Sequence, residues 1–147
     1  MSSQPIGDTY LALAHYYTGK TERGRTMLEA LADSRSASTA ARAGAALAGI
    51  LAAQGEASAA RLLVDRVIKG TYRDHHVAYS IGAAYAQLNE GALAHRWLRT
   101  AADSGFPCLP FFETDPLLDP LRQQPEFPDL LQYVKSRREA ALSTASP

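Results

Sequence analysis

The stretch Ile81-Gly82-Ala83-Ala84-Tyr85-Ala86-Gln87-Leu88-Asn89-Glu90-Gly91-Ala92-Leu93-Ala94-His95-Arg96-Trp97-Leu98-Arg99-Thr100-Ala101 decides the fold. An apolar residue precedes a small one at Ile81-Gly82. Seven residues beyond Gly82 stands Asn89, five further on Ala94, then Leu98 and Ala101 at helical spacing. Small side chains let two helices approach closely, and Gly or Asn tolerates the left-handed backbone that ends a helix. The stretch therefore predicts helix, turn, helix.

Working outward, the same internal spacings recur twice upstream. Leu47-Ala48 leads to Gly55, Ala60, Val64 and Val67, and Leu11-Ala12 leads to Gly19, Gly24, Leu28 and Leu31. The offsets are 36 residues from Leu11 to Leu47 and 34 from Leu47 to Ile81. A period of this size marks a repeat of one supersecondary unit. The spacing predicts first (A) helices over 7–18, 38–54 and 73–88, and second (B) helices over 21–33, 56–69 and 90–103. Ser38 and Thr71 are available as N-caps. One hairpin cannot bury its own apolar face, so the units are expected to stack and enclose Leu11, Leu28, Leu31, Leu47, Ile50, Leu63, Val67, Ile81, Tyr85 and Leu98.

Bulk properties narrow the class. A chain of 147 residues suits one domain. Fifteen Lys and Arg balance fifteen Asp and Glu, so no positive field draws the surface to nucleic acid or anionic lipid. The most apolar stretch, 43–53, is built mainly of Ala and Gly and stops short of the roughly 20 residues that span a bilayer. The N-terminus lacks a basic segment followed by an apolar one, so a cytoplasmic location is expected. Cys108 is the only cysteine, which excludes an internal disulfide and leaves a Cys-based metal site short of ligands. Ala and Leu dominate, β-branched residues form no alternating runs, and no sheet is expected.

These positions resemble the tetratricopeptide repeat, which pairs Leu-Gly with a Tyr three residues on and a small residue in the second helix. Ile81-Gly82-Ala83-Ala84-Tyr85 with Ala94, Leu98, Ala101 and a closing Pro107 matches best. The Tyr position holds Leu51 in the second unit and His15, beside Tyr16 and Tyr17, in the first. The resemblance implies an all-α, right-handed α-solenoid of three hairpins, with repeats at about 6–37, 38–72 and 73–107. A cap over 108–140 and a disordered tail over 141–147 are expected to follow. The segment 104–127 is similar to the C-terminal ending of tetratricopeptide regions in bacterial signalling proteins. In it, Asp115-Pro116 and Asp119-Pro120 each predict the start of a short helical turn. A final helix over 125–140 presents Phe127, Leu130, Leu131 and Val134 on one face.

Adjacent His75 and His76 project about 100° apart on a helix and do not converge on one metal; one ring packed and one in water is the expectation. No nucleophile sits on a sharp turn with a histidine base. Gly44, Gly49 and Gly55 lie in an Ala-rich helical pattern instead of a phosphate-binding loop. No pair of carboxylates is spaced for joint acid and base work. The chain reads as no enzyme, with no cofactor and no metal.

The resemblance implies instead a concave groove lined by A helices that takes a protein or peptide. Transferred to this chain, its lining is Thr9, Leu13, Tyr16 and Tyr17, then Arg42, Ala45, Ala46 and Gly49, then His76, Tyr79, Ser80, Ala83 and Gln87. The opposing expectation is that the C-terminal cap fills part of this groove. The basic and amide residues with which family members clamp a peptide carboxylate are replaced here by Thr9, Leu13, Ala46, His76 and Ser80, so recognition of a free C-terminal tail is not expected. Two other functions stay open: a homodimer through Leu130, Tyr133 and Val134 of the last helix, and a small-molecule pocket between His15, Tyr17 and Tyr79.

Overall fold

Three turns of the chain close by the same device. A computed structural model describes residues 5–106 and 108–145, and in it Gly19, Gly55 and Asn89 have φ of 91°, 85° and 59°. The residue after each donates to the carbonyl five positions back: Lys20 to His15 at 2.8 Å, Glu56 to Leu51 at 2.9 Å and Glu90 to Tyr85 at 2.9 Å. The turn residue itself donates to the carbonyl three back, on Tyr16, Ala52 or Ala86. These paired bonds satisfy carbonyls that a helix end leaves open. Gly105, with φ of 114°, ends a further helix, and Phe106 donates to the Ala101 carbonyl at 2.9 Å.

The helices so delimited are α1 (Pro5–Tyr17), α2 (Thr21–Ala32), α3 (Ala37–Ala53), α4 (Ala57–Lys69), α5 (His75–Gln87) and α6 (Gly91–Asp103). Short α7 (Leu109–Thr114), a 3-10 turn (Pro116–Leu118), α8 (Asp119–Arg122) and the long α9 (Phe127–Ala145) follow. The protein is all-helical, with no strand among the described residues. The predicted caps are displaced. Ser36, not Ser38, accepts from the Thr39 N–H at the start of α3, and Asp74, not Thr71, accepts from Val77 at 2.8 Å at the start of α5. The final helix runs five residues past its expected end, so 141–145 continue a helix where a disordered tail was expected. Pro107, the expected closing proline, lies outside the described residues.

The chain divides into two compact units, Met1–Arg73 and Asp74–Pro147. In the first, α1 packs on α2, α3 packs on both, and α4 packs on α3. Gly24 makes the α1–α2 approach possible: a Cβ there would lie 2.5 Å from the Ala12 carbonyl oxygen and 2.9 Å from the Tyr16 nitrogen. Ala12 and Leu28 are fully buried beside it. Arg25 ties α2 to the α3–α4 turn through Glu56 at 2.6 Å and Gln54 at 2.7 Å, while also holding Glu29 at 2.7 Å.

In the second unit α5 packs on α6, with Gly82 against Leu98 playing the part that Gly24 plays in the first. The segment from α7 to α8 lies on α5, and α9 packs on α6, α7 and α8. Leu118, Leu121, Leu130 and Val134 are buried at these contacts. Of the expected core, Leu28, Leu47, Ile50, Val67, Ile81, Tyr85 and Leu98 are buried and Leu31 and Leu63 half-buried. Leu11 is the exception, 50% exposed. No described helix is long and apolar enough to cross a membrane.

Candidate functional site

The A-helix face of the second unit is built from α5, and it is already occupied by the unit's own chain. Asp115 is the hinge of this arrangement. Its φ/ψ is extended and its carboxylate accepts from the Leu117 N–H at 3.0 Å, which starts the 3-10 turn at Pro116 as the Asp-Pro pair predicts. The same carboxylate accepts from the Tyr79 hydroxyl at 2.7 Å. Tyr79 is only 7% exposed. Its ring meets Phe106, Phe111 and Phe112 at centroid distances of 5.1, 6.1 and 5.2 Å in tilted and edge-on geometries, which aromatic rings prefer.

About two turns further along α5, the Gln87 amide donates to the Leu117 carbonyl at 2.8 Å. Arg122 braces the segment from the other side. It donates to the backbone carbonyls of Phe112 and Asp115 at 3.1 and 2.8 Å and to the Asp119 carboxylate at 2.9 Å, with its guanidinium 5.2 Å from the Phe127 ring. At the start of α5, His75 and His76 both turn toward Phe106, at centroid distances of 5.8 and 5.4 Å and 4.2 Å from one another. The expectation of one packed and one wet ring gives way because Phe106 offers an apolar surface to both half-buried rings.

The remaining sequence-predicted residues divide by unit. In the first, Thr9, Ala45, Ala46 and Gly49 are buried, Leu13 and Tyr16 half-buried, and Tyr17 41% exposed. The Tyr16 and Tyr17 rings meet edge-on at 5.3 Å. Arg42 is half-buried; its guanidinium donates to the Tyr72 hydroxyl at 2.5 Å and lies 5.1 Å from the Tyr72 ring centroid. Burial, then the neighbouring Arg23 and Lys20, hold the His15 imidazole below its ordinary pKa. In the second unit Ala83 is buried, and His76, Ser80 and Gln87 are half-buried. His15 and Tyr17 thus belong to one unit and Tyr79 to the other.

The alternative dimer surface on the last helix is consumed internally. Leu130 and Val134 are fully buried, and the Tyr133 hydroxyl donates to Asp103, which also pairs with Arg137 at 3.3 Å. The Asp103 hydrogen bond raises the Tyr133 pKa above the ordinary tyrosine value.

A feature that sequence reading missed is a cleft of about 540 Å³ at the start of α6, lined by Gly91, Ala92, His95, Arg99, Gln124, Glu126 and Asp129. Its lining comes from segments some 30 residues apart, so no local spacing announces it. Among the described residues, no group of three or more His, Cys, Asp or Glu side chains is arranged to hold a metal ion. Comparison with protein-family models, with curated proteins and with solved structures finds no match.

Proposed function

We propose that this protein is a non-catalytic interaction module, a tetratricopeptide-like array of three helix hairpins, whose A-helix side holds a segment of another protein. The observation that carries the reading is the way α5 receives the segment 109–118. Aromatic side chains seat against Tyr79, a carboxylate takes the tyrosine hydroxyl, and Gln87 takes a backbone carbonyl. An A helix of this repeat is therefore chemically suited to a short aromatic and acidic segment, with side-chain anchors supplying affinity and a backbone contact fixing register.

The repeat places Leu13 and Arg42 on the A helices of the first unit, half-buried, with surface left to give. Arg42 adds a cation suited to an acidic partner segment. The recurrence of one hairpin spacing three times, closed each time by the same pair of backbone bonds, supports the tetratricopeptide likeness. A bacterial signalling or regulatory setting and a cytoplasmic location belong to this proposal through that likeness.

The test compares wild type with a Leu13→Ala, Arg42→Ala double variant in affinity capture from the native cell extract, with helicity checked by circular dichroism. Tyr79 is unsuited to this comparison because its removal would open the core. A partner retained by wild type and lost by the variant is expected. Equal capture by both would remove the A-helix face of the first unit from consideration.

A further inference from the structure

The cleft at the start of α6 is separate from the A-helix face, because its walls come from a B helix, the α8–α9 connection and the first turn of α9. It encloses about 540 Å³, the size of a small-molecule site. Contacts further along the two helices fix its register. The Arg99 guanidinium lies 4.6 Å from the Tyr133 ring centroid, and Asp103 pairs with Arg137 at 3.3 Å. Both contacts join residues 34 apart in sequence, so α6 and α9 run side by side in the same direction. The same offset sets His95 level with Asp129, and Gln124 and Glu126 a turn earlier beside Gly91. Gly91 confirms this placement: a Cβ there would lie 2.6 Å from Gln124 Oε1.

The polar groups of the cleft are left over after folding. His95 Nε2 is buried with no hydrogen-bond partner among the described residues, an arrangement that native structures complete with a water, an ion or a ligand. Glu126 and Asp129 are exposed, and neither enters an ion pair among the described residues. Arg99 is exposed too; stacking on Tyr133 occupies a face of its guanidinium and leaves the in-plane N–H donors open. His95, Glu126 and Asp129 do not converge on one point as metal ligands would. The lining therefore offers separated charges, two negative and one positive.

We propose that this cleft binds a basic α-amino acid, one whose side chain ends in an ammonium or guanidinium. Arg99 takes the α-carboxylate, Asp129 the α-ammonium and Glu126 the side-chain cation, each through charge-assisted hydrogen bonds. The match is one of charge and order. A neutral amino acid would leave one carboxylate of the cleft unanswered, and an alkyl diamine would leave Arg99 unanswered, whereas a basic amino acid answers all three. Arg99 and Asp129 are a turn apart along the helix pair, as suits a carboxylate and an ammonium on one carbon, and Glu126 lies a further turn away at the reach of an alkyl stem. All three charged groups face solvent, so binding is weak and salt-sensitive.

Calorimetric titration of the full chain at low ionic strength with L-lysine and L-arginine, up to about 10 mM, is expected to give saturable one-to-one binding. Norleucine, which lacks the side-chain cation, and cadaverine, which lacks the carboxylate, should each bind at least about tenfold more weakly than L-lysine. Arg99→Gln and Asp129→Asn, at exposed sites, should each weaken L-lysine at least about tenfold with an unchanged circular dichroism spectrum, while Arg99→Gln leaves cadaverine within about twofold. The His95 ring resonances should shift on saturation with L-lysine, and those of His15 in the other unit should not. No saturation by either basic amino acid overturns the proposal. So does cadaverine or norleucine binding as tightly as L-lysine, since the cleft would then not read all three charges. Binding that survives both Arg99→Gln and Asp129→Asn overturns it too, by placing the site elsewhere.

Discussion

At the residue scale the glycines separate two physical demands that look alike in a sequence. Gly19 has open space where its Cβ would be and is required for its positive φ; Gly24 has ordinary helical backbone and is required for space. Gly19→Ala is expected to cost about 1 kcal/mol through left-handed strain. Gly24→Ala should cost about 1–3 kcal/mol, because the Ala12 carbonyl oxygen is backbone and cannot step aside as a side-chain tip would. Chemical denaturation of both variants checks the order. Both positions were legible from spacing alone, since small residues recur at 24, 60 and 94 and turn residues at 19, 55 and 89. The spacing says where smallness matters, whereas only the contact distances say why.

A second residue-scale prediction concerns acid. The hydrogen bond from Arg25, reinforced by its charge, holds the Glu56 carboxyl below the usual glutamate range, and Glu56 in turn raises the Arg25 pKa. A carboxyl with a depressed folded-state pKa stabilises the fold fully above its unfolded value of about 4.3, and that contribution fades as pH falls through the folded value. Wild type should therefore exceed Glu56→Gln in stability at neutral pH. The gap should close as acid unfolding curves are taken below pH ~4.3, and added salt should narrow it, because both side chains are partly exposed.

At the scale of the element, helix ends were easier to read than helix surroundings. The turn positions follow from local backbone chemistry and were read correctly. The N-caps were misread by two residues at Ser36 and three at Asp74, because several oxygen-bearing side chains compete within one linker and geometry alone picks the winner. Leu11 illustrates the opposite limit. Its spacing is that of Leu47 and Ile81, yet it is 50% exposed where they are 5% and 0%, and no spacing rule reports how much of a side chain its surroundings cover. The same holds for the α5 face. That His76, Tyr79 and Gln87 share it was legible, as was a C-terminal cap filling part of it; that Tyr79 bonds Asp115 and Gln87 bonds the Leu117 carbonyl required the fold.

The cap over α5 yields a test at this scale. Tyr79→Phe keeps the aromatic packing and removes only the hydroxyl that bonds the buried Asp115 carboxylate. It should destabilise the second unit by about 2 kcal/mol, the range for a hydrogen bond to a charged group. Equilibrium unfolding should show the loss, and Asp115→Asn should not add its full effect on top, since the two residues share one interaction.

Across the whole molecule the decisive fact is the division of the chain into two compact units of helices. Phe112, fully buried between α5 and the cap segment, is the largest such side chain. Phe112→Ala should cost about 3–5 kcal/mol. Hydrogen exchange is expected to register that cost in α5 to α9 while the amides of α1 and α2 keep their protection, as distinct cooperative units do. A uniform loss through both units would show a single cooperative block.

The repeated turn at Gly19, Gly55 and Asn89 also bears on the order in which the chain acquires its shape. Each turn joins two helices that are already neighbours along the chain, so closing a hairpin fixes only a short loop and loses little entropy. The cap is a different matter: Tyr79 must find Asp115 across 36 residues and Gln87 must find Leu117 across 30. Refolding should then be led by rapid, local hairpin formation, with the aromatic seat on α5 bare until the C-terminal segment arrives. For that interval on every nascent chain, the face that the mature protein covers with Phe106, Phe111 and Phe112 is an open apolar surface, and the speed of the cap's return sets how long it stays sticky.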